Sequence, residues 1–222
     1  MKLKVSKKIF LTFSFSLVAI SVLISVLFFD QSIAFLIHNY NSHFIYNIAN
    51  FVGVITDKIV VLTALIPLLI FSIFRKKNIQ KFAFLTIGFS ILMTATLLLK
   101  MFLGRSRPQL LIEENINSIT FFSLDNLYWG LPSGHTLTAL FLAISIQSLW
   151  NLSKLSKVLM WGITSVVCLS RIFTAQHFLS DIIITAVFTV VLTVFLLKLY
   201  KFTVENKIVN KFLHKISIKN KI

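Results

Sequence analysis

The sequence predicts an all-α integral membrane protein, a bundle of six transmembrane helices with both termini in the cytoplasm. Hydrophobic residues make up 57% of the 222-residue chain and charged residues only 13%, and the mean hydropathy is +0.89. This balance excludes a water-soluble globular surface. The chain also contains six apolar runs that approach the ~20 residues a spanning helix requires. No linker or repeat divides them, so we predict a single domain over residues 1–222.

The six predicted spans cover residues 9–29, 59–74, 82–102, 136–150, 157–174 and 181–199. The first follows four lysines, as the core of a signal peptide would. It is about twice as long as such a core and has no small-residue cleavage site, so we interpret it as a helix. The segment between the first two spans, which carries His38 and His43, is expected to be an interfacial loop. Cys168 lies within an apolar run, where we expect it to pack.

Basic residues are distributed unequally between the two sides of this predicted bundle. Seventeen of the 22 Lys and Arg fall in the N-terminal tail, the second and fourth loops, and the C-terminal stretch that contains the basic tail 200–222. The opposite side holds five basic residues and six of the seven acidic ones. Since short cytoplasmic loops collect Lys and Arg, both termini should be cytoplasmic, and the first, third and fifth loops should face outward.

The net charge of +15 is therefore mainly a consequence of topology, with attraction to anionic membrane lipids as a secondary effect. We do not expect nucleic acid as a partner, because the basic residues lie close to the membrane and have no aromatic platform among them.

Three polar clusters lie at the predicted outer edge of the bundle. The first, KMFLGRSRP, places Lys100 and Arg107 seven residues apart near a helix end marked by Gly104 and Pro108. These side chains could bind an anion together, or could simply anchor a helix end at the interface.

The second cluster, PSGH at residues 132–135, stands at the start of the fourth span. A helix start exposes backbone N–H groups that favour anions, and Ser133 and Gly134 would contribute to such a site. The alternative is an ordinary N-cap by Ser133, with His135 as an interfacial residue.

The third cluster, SRIFTAQHFLSD, contains Arg171, His177 and Asp181. On a helix, the carboxylate of Asp181 would lie one turn from the His177 imidazole and could accept its Nδ1–H, leaving Nε2 as a nucleophile or base. The alternative is a capping or ion-pair role for Asp181 near a helix start.

Together, the three segments resemble the signature motifs of the type 2 phosphatidic acid phosphatase superfamily, which are membrane lipid phosphate phosphatases. Lys-x6-Arg-Pro, Pro-Ser-Gly-His and Ser-Arg-x5-His-x3-Asp occur in that order over a motif core of residues 100–181. One departure is Ala175–Gln176, where many relatives carry a small residue beside the histidine.

The resemblance implies a role for each motif residue. His177 would be the nucleophile that forms a phosphohistidine, oriented by Asp181, and His135 would be the general acid and then the base. The phosphate-binding residues would be Lys100, Arg107, Ser133, Gly134 and Arg171. No metal or other cofactor is implied, because three cations already neutralise the phosphate.

The implied activity is hydrolysis of a lipid phosphate or diphosphate at the outer leaflet, in a bacterial inner membrane with the site facing the periplasm or exterior. Undecaprenyl diphosphate, phosphatidylglycerol phosphate, phosphatidic acid and lipid A phosphate all fit as substrates. A lipid phosphotransferase with the same intermediate is the alternative. A small transporter fits less well, because its polar residues are expected near the membrane midplane.

Overall fold

The computed structural model describes residues 20, 22–40 and 42–205, and this part of the chain is all-α. Within these described ranges, a π-helical turn, Ser25–Phe29, leads into the first of eight named α-helices, and a 3₁₀ turn covers Asn126–Tyr128. The helices are α1 Asp30–Tyr40, α2 His43–Ile55, α3 Lys58–Phe74, α4 Ile79–Leu103, α5 Pro108–Glu114, α6 Gly134–Leu149, α7 Lys154–Phe173 and α8 Leu179–Glu205.

Five of the six predicted spans correspond to helices α3, α4, α6, α7 and α8. Four helical stretches within the described ranges are long and apolar enough to cross a membrane: His43–Phe74, Ile79–Leu103, Lys154–Phe173 and Leu179–Val204. Helix α6 is apolar but has only 16 residues. Most of the predicted span 9–29 and the basic tail from residue 206 onward lie outside the described residues. Six spans and cytoplasmic termini therefore stay predictions.

The segment between the first two predicted spans is not an irregular loop. It forms helices α1 and α2, and α2 packs against α7. Two side-chain caps define the helix starts there. Ser42 accepts the amide of Ile45 at 3.3 Å before α2, and Asp57 accepts the amide of Ile59 at 2.8 Å before α3. Helix α2 therefore lies beside the residues of the third motif.

The buried apolar core lies between α3, α4 and α6. Its buried residues are Leu65, Leu85, Phe89, Leu92, Leu137 and Phe141. Where α6 packs on α8, the contact contains buried hydroxyl residues, and Thr185 and Thr189 satisfy their hydroxyls on carbonyls one turn earlier in α8. Small polar residues of this kind let helices approach closely in lipid. The outer surface exposes many large apolar side chains, including Phe71, Phe102 and Phe195, as expected of a surface in contact with lipid.

Helix ends bring the three motifs to the same end of the bundle. Helix α4 stops at Leu103 because Gly104 adopts a left-handed conformation with φ of +54°. A side chain is excluded there, since a Cβ on Gly104 would lie 1.6 Å from the carbonyl oxygen of Thr120. Helix α7 stops at Phe173, and α6 and α8 begin at Gly134 and Leu179. The motif residues therefore surround the same space.

Candidate active site

A cavity of about 270 Å³ lies at this end of the bundle, and its walls include residues of all three sequence motifs. Six of the eight predicted site residues line it: Lys100, Arg107, Gly134, His135, Arg171 and His177. The other two, Ser133 and Asp181, are fully buried behind it.

Lys100 and Arg107 reach the cavity from the end of α4 and the segment after it. The Nζ of Lys100 donates to the carbonyl of Trp129 at 2.9 Å, and Arg107 donates to the side-chain oxygen of Gln176. The Nε of Arg107 is buried and has no partner among the described residues. A buried guanidinium with a free donor is suited to bind an anion inside the cavity.

Arg171 lies in the last turn of α7 and is 5% exposed. It donates from Nη2 to the carbonyl of Ala49 at 2.8 Å and from Nε to the hydroxyl of Ser170 at 3.1 Å. Its guanidinium lies directly over Gly53, where a Cβ would be 2.1 Å from Nη2. Helix α2 thus positions the Arg171 guanidinium in two ways: the carbonyl of Ala49 accepts its hydrogen bond, and Gly53, which has no side chain, leaves room for it.

His135, in the first turn of α6, is held by the same helix. Its Nε2 lies 3.1 Å from the carbonyl oxygen of Gly53. A carbonyl only accepts hydrogen bonds, so Nε2 carries the proton in this arrangement and Nδ1 has the lone pair. The imidazole can therefore exchange protons with a group bound in the cavity.

His177 is 4% exposed, and its Nδ1 lies 2.5 Å from the carbonyl oxygen of Gly130. By the same reasoning Nδ1 is the protonated nitrogen, which leaves the Nε2 lone pair free. Burial lowers the pKa of His177 well below 6.5, and the nearby charges of Lys100 and Arg107 lower it further. The imidazole is therefore neutral at neutral pH, as a nucleophile must be.

The predicted hydrogen bond between Asp181 and His177 is absent. The carboxylate of Asp181 accepts from the backbone amide of Phe178 at 2.8 Å and from Arg105 at 2.5 Å, while Gly130 takes the place predicted for Asp181 on Nδ1. The reason is that α8 begins at Leu179, so His177 precedes the helix and the two residues do not share one helical face. Asp181 acts on the chain next to His177, not on the imidazole.

Ser133 stands at the start of α6, as predicted, but it is buried and does not line the cavity. Its hydroxyl accepts the amide of Thr136 at 3.4 Å as the N-cap of α6, and its own amide donates to Thr185 at 2.8 Å. The interpretation of this serine as the N-cap is confirmed, and its part in phosphate binding stays a prediction. Gly134, the residue after this cap, does line the cavity. The start of α6 therefore contacts the site at Gly134.

Sequence reasoning missed several residues that build the site. Gly53 and Gly130 act through carbonyl oxygens, which leave no signal in a sequence. Gln176 was noted only as a departure from relatives, yet it lines the cavity and binds Arg107. The segment 109–131, between the first two motifs, contains most of α5 and the 3₁₀ turn, and its Asn126 and Trp129 also line the cavity.

Among the described residues, no group of three His, Cys, Asp or Glu side chains converges in a way that could hold a metal ion. Independence from metals stays a prediction.

Comparisons with known proteins agree with the fold and with the motifs. No curated protein matches the chain significantly. The crystal structure of Aquifex aeolicus LpxE is similar in fold, with a TM-score of 0.57 at 22% sequence identity, over 76% of this chain and 94% of that one. A sequence model of the PAP2 superfamily matches residues 81–205. This match covers more than half of the chain and includes all three motifs, so the protein belongs to the PAP2 superfamily.

Proposed function

We propose that this protein is an integral membrane lipid phosphatase that hydrolyses a lipid phosphate or diphosphate through a phosphohistidine intermediate. The observation that carries the proposal is the convergence of two imidazoles and the three motif cations on one small cavity, whose lining also includes Lys58 and Asp57. Membership of the PAP2 superfamily supports the same reaction class.

The three cations supply the electrostatic part of the reaction. Lys100, Arg107 and Arg171 line the cavity together, so a phosphoryl group bound there would have positive charge on several sides. The two guanidinium groups can each donate to two oxygens, and the ammonium acts as a point charge. Donors held in place before the substrate binds stabilise the charge of the transition state without reorganisation.

In the first chemical step, Nε2 of His177 attacks phosphorus and the bond to the leaving oxygen breaks. His135 acts here as the imidazolium, with a second proton on Nδ1. It gives that Nδ1 proton to the leaving oxygen as the lipid alcohol or phosphate departs, and becomes neutral while its Nε2–H stays on the Gly53 carbonyl. In the second step, His135 takes a proton from water, the water oxygen attacks phosphorus, and the phosphorus–nitrogen bond breaks. Inorganic phosphate leaves, and both imidazoles return to their starting protonation states.

The size of the cavity supports a lipid substrate whose tail stays outside. A volume of about 270 Å³ lies at the lower end of the ~300–1,000 Å³ range of small-molecule pockets, which suits a phosphate group better than a whole lipid. A second groove runs along α2, where Asn50 and Val54 line it, and shares His135 and Arg171 with the cavity. We infer that the lipid part of the substrate extends from the cavity along this groove.

We place the site at the outer leaflet of a bacterial-type inner membrane, facing the periplasm or exterior. The support is the charge asymmetry, because the motifs lie on the side opposite to most of the Lys and Arg. Protease accessibility or cysteine labelling of the 109–131 segment in sealed vesicles would test this orientation. Labelling from the cytoplasmic side only would contradict it.

The decisive assay measures phosphate release by the purified protein from undecaprenyl diphosphate, phosphatidylglycerol phosphate, phosphatidic acid and lipid A phosphate, with and without a chelator. We expect release from at least one lipid, unaffected by the chelator, and its loss in His177→Ala. His38→Ala is a matched control, because His38 is an exposed histidine of α1 outside the cavity. Full activity of His177→Ala would contradict the proposed nucleophile, and phosphate transfer to a lipid acceptor without free phosphate would identify a phosphotransferase.

A further inference from the structure

A buried charge network lies behind the cavity, and its central residue, Arg105, is not one of the eight predicted site residues. Arg105 donates from Nη1 to Asp181 at 2.5 Å and from Nη2 to Asp30 at 2.8 Å. The two carboxylate side chains are 0% and 2% exposed, and that of Arg105 is 12% exposed. Ser180 completes the network by bonding to both Arg105 and Asp30.

The guanidinium of Arg105 is linked through Asp181 to Phe178, the residue that follows the proposed nucleophile His177. Its partner Asp181 accepts the amide of Phe178, the residue directly after His177, at 2.8 Å. The guanidinium carbon also lies 4.9 Å from the centre of the Phe178 ring, which is 1% exposed. One side chain therefore fixes both the backbone and the side chain of the residue that follows the nucleophile.

The backbone of Arg105 is connected to the other side of His177. Its carbonyl accepts the amide of Gly130 at 2.8 Å, and the carbonyl of Gly130 is the atom that holds Nδ1 of His177. Gly130 is packed tightly there, since a Cβ would lie 3.0 Å from the Arg105 oxygen. The same residue thus holds the peptide that orients the imidazole.

We propose that Arg105 is a positioning residue for the nucleophile, which it holds from two sides through Asp181 and Gly130, with Asp30 of α1 as its second anchor. This inference rests on the proposed function of His177. It also gives Asp181 a definite role, because its carboxylate binds Arg105 and the backbone amide of Phe178 and so links Arg105 to the residue after His177.

The position of the imidazole matters for the chemical step more than for substrate binding. Phosphate binding is assigned to Lys100, Arg107 and Arg171, none of which bonds to Arg105. A displacement near 1 Å of a reacting group costs about 100-fold in rate. We therefore expect Arg105→Gln to lower kcat by roughly 30- to 100-fold while KM changes less than about threefold.

The experiment compares purified Arg105→Gln, Arg105→Lys, Asp30→Asn and Asp181→Asn with the double variant Arg105→Gln/Asp181→Asn. Arg105→Lys keeps the charge but cannot reach both carboxylates with one ammonium, so it should restore only part of kcat. If Arg105 acts through Asp181, the double variant should lose little more than the more damaged single variant, because losses along one chain of contacts do not add. Arg75→Gln is the matched control, since Arg75 also stacks on a phenylalanine, Phe71, but is exposed.

A purely structural role would give a different result. Arg105→Gln and Arg105→Lys would then lower the yield of folded protein, but kcat per folded molecule would equal the wild-type value, and the NMR signal of the hydrogen-bonded Nδ1–H of His177 would not move. That outcome would overturn the proposal, as would additive losses in the double variant. If Arg105→Gln does not fold, Arg105→Lys and Asp30→Asn give the same comparison. Inactive wild-type protein would instead refute the proposed function.

Discussion

Gly53 in α2 belongs to none of the sequence motifs, yet the structure predicts that Gly53→Ala impairs catalysis without harming the fold. A Cβ at this position would lie 2.1, 2.5 and 2.6 Å from Nη2, Nη1 and Cζ of Arg171. These atoms are the mobile end of a side chain, so Arg171 would yield by more than about 1 Å while the helix stays in place. The cation would then leave the position in which it faces the cavity.

The expected effects on stability and on activity are separate. Alanine favours a helix interior over glycine by about 0.8–1.0 kcal/mol, which offsets part of the lost bond between Arg171 and the carbonyl of Ala49. A misplaced guanidinium loses a charge-assisted hydrogen bond to phosphate, worth about 1.5–3 kcal/mol. At ~1.4 kcal/mol per factor of ten, kcat/KM should fall by roughly 10- to 150-fold while the melting temperature changes little.

The assay is phosphate release at several substrate concentrations together with thermal unfolding in detergent. Gly162→Ala provides the control, because Gly162 lies within α7 and a Cβ there meets nothing within 4 Å. Equal kcat/KM for Gly53→Ala and Gly162→Ala would refute the assignment of Arg171 as a phosphate ligand held by α2.

Three further predictions concern the two histidines and Gly130. With nitrophenyl phosphate, whose leaving group needs no proton, His135→Ala should keep a fast burst of about one nitrophenol per site. Its steady-state rate should fall 10²- to 10⁴-fold, because the second step still needs His135 as a base. Loss of the burst would argue against the role of His135 as the acid. Burial lowers the pKa of His177 well below 6.5, so its ring NMR signals should not titrate between pH 8 and about 6. The free energy of unfolding should decline as pH falls below ~6.5, where the unfolded chain binds a proton that the folded chain does not. A titration midpoint of the His177 signals near 6.5 would contradict this prediction. Gly130→Ala places a Cβ 2.9 Å from the backbone oxygen of Ser106, so the peptide that holds His177 must shift. We expect kcat to fall about tenfold or more. An unchanged kcat would show that the Gly130 carbonyl does not orient the imidazole.

Much of the fold was accessible from the sequence because apolar runs of spanning length have few alternatives to a helix. The shared cavity could also be predicted, since the motif segments holding Lys100, His135 and His177 all fall at one end of successive helices. Helices α1 and α2 were missed because the segment that carries His38 and His43 is too short in apolar residues to span the membrane, and we therefore interpreted it as an interfacial loop.

The hydrogen-bond partners inside the site could not be predicted for a physical reason. Whether Asp181 reaches His177 depends on where α8 begins, and a start two residues after the histidine removes their helical relationship. Arg105 and Asp30 are 75 residues apart in sequence, and Gly53 and Gly130 contribute backbone oxygens and the space that a side chain would fill. Such contacts are set by packing between distant segments, for which a single sequence carries no pattern.

Trapping of the covalent intermediate tests the central claim most directly. Purified protein would be mixed with ³²P-labelled lipid phosphate, quenched in alkali within the first turnover, and digested for mass spectrometry. We predict one phosphate per chain on Nε2 of His177, stable in alkali and lost in acid, and absent from His177→Ala. Phosphate on any other residue, or turnover with no labelled protein at any quench time, would contradict the account.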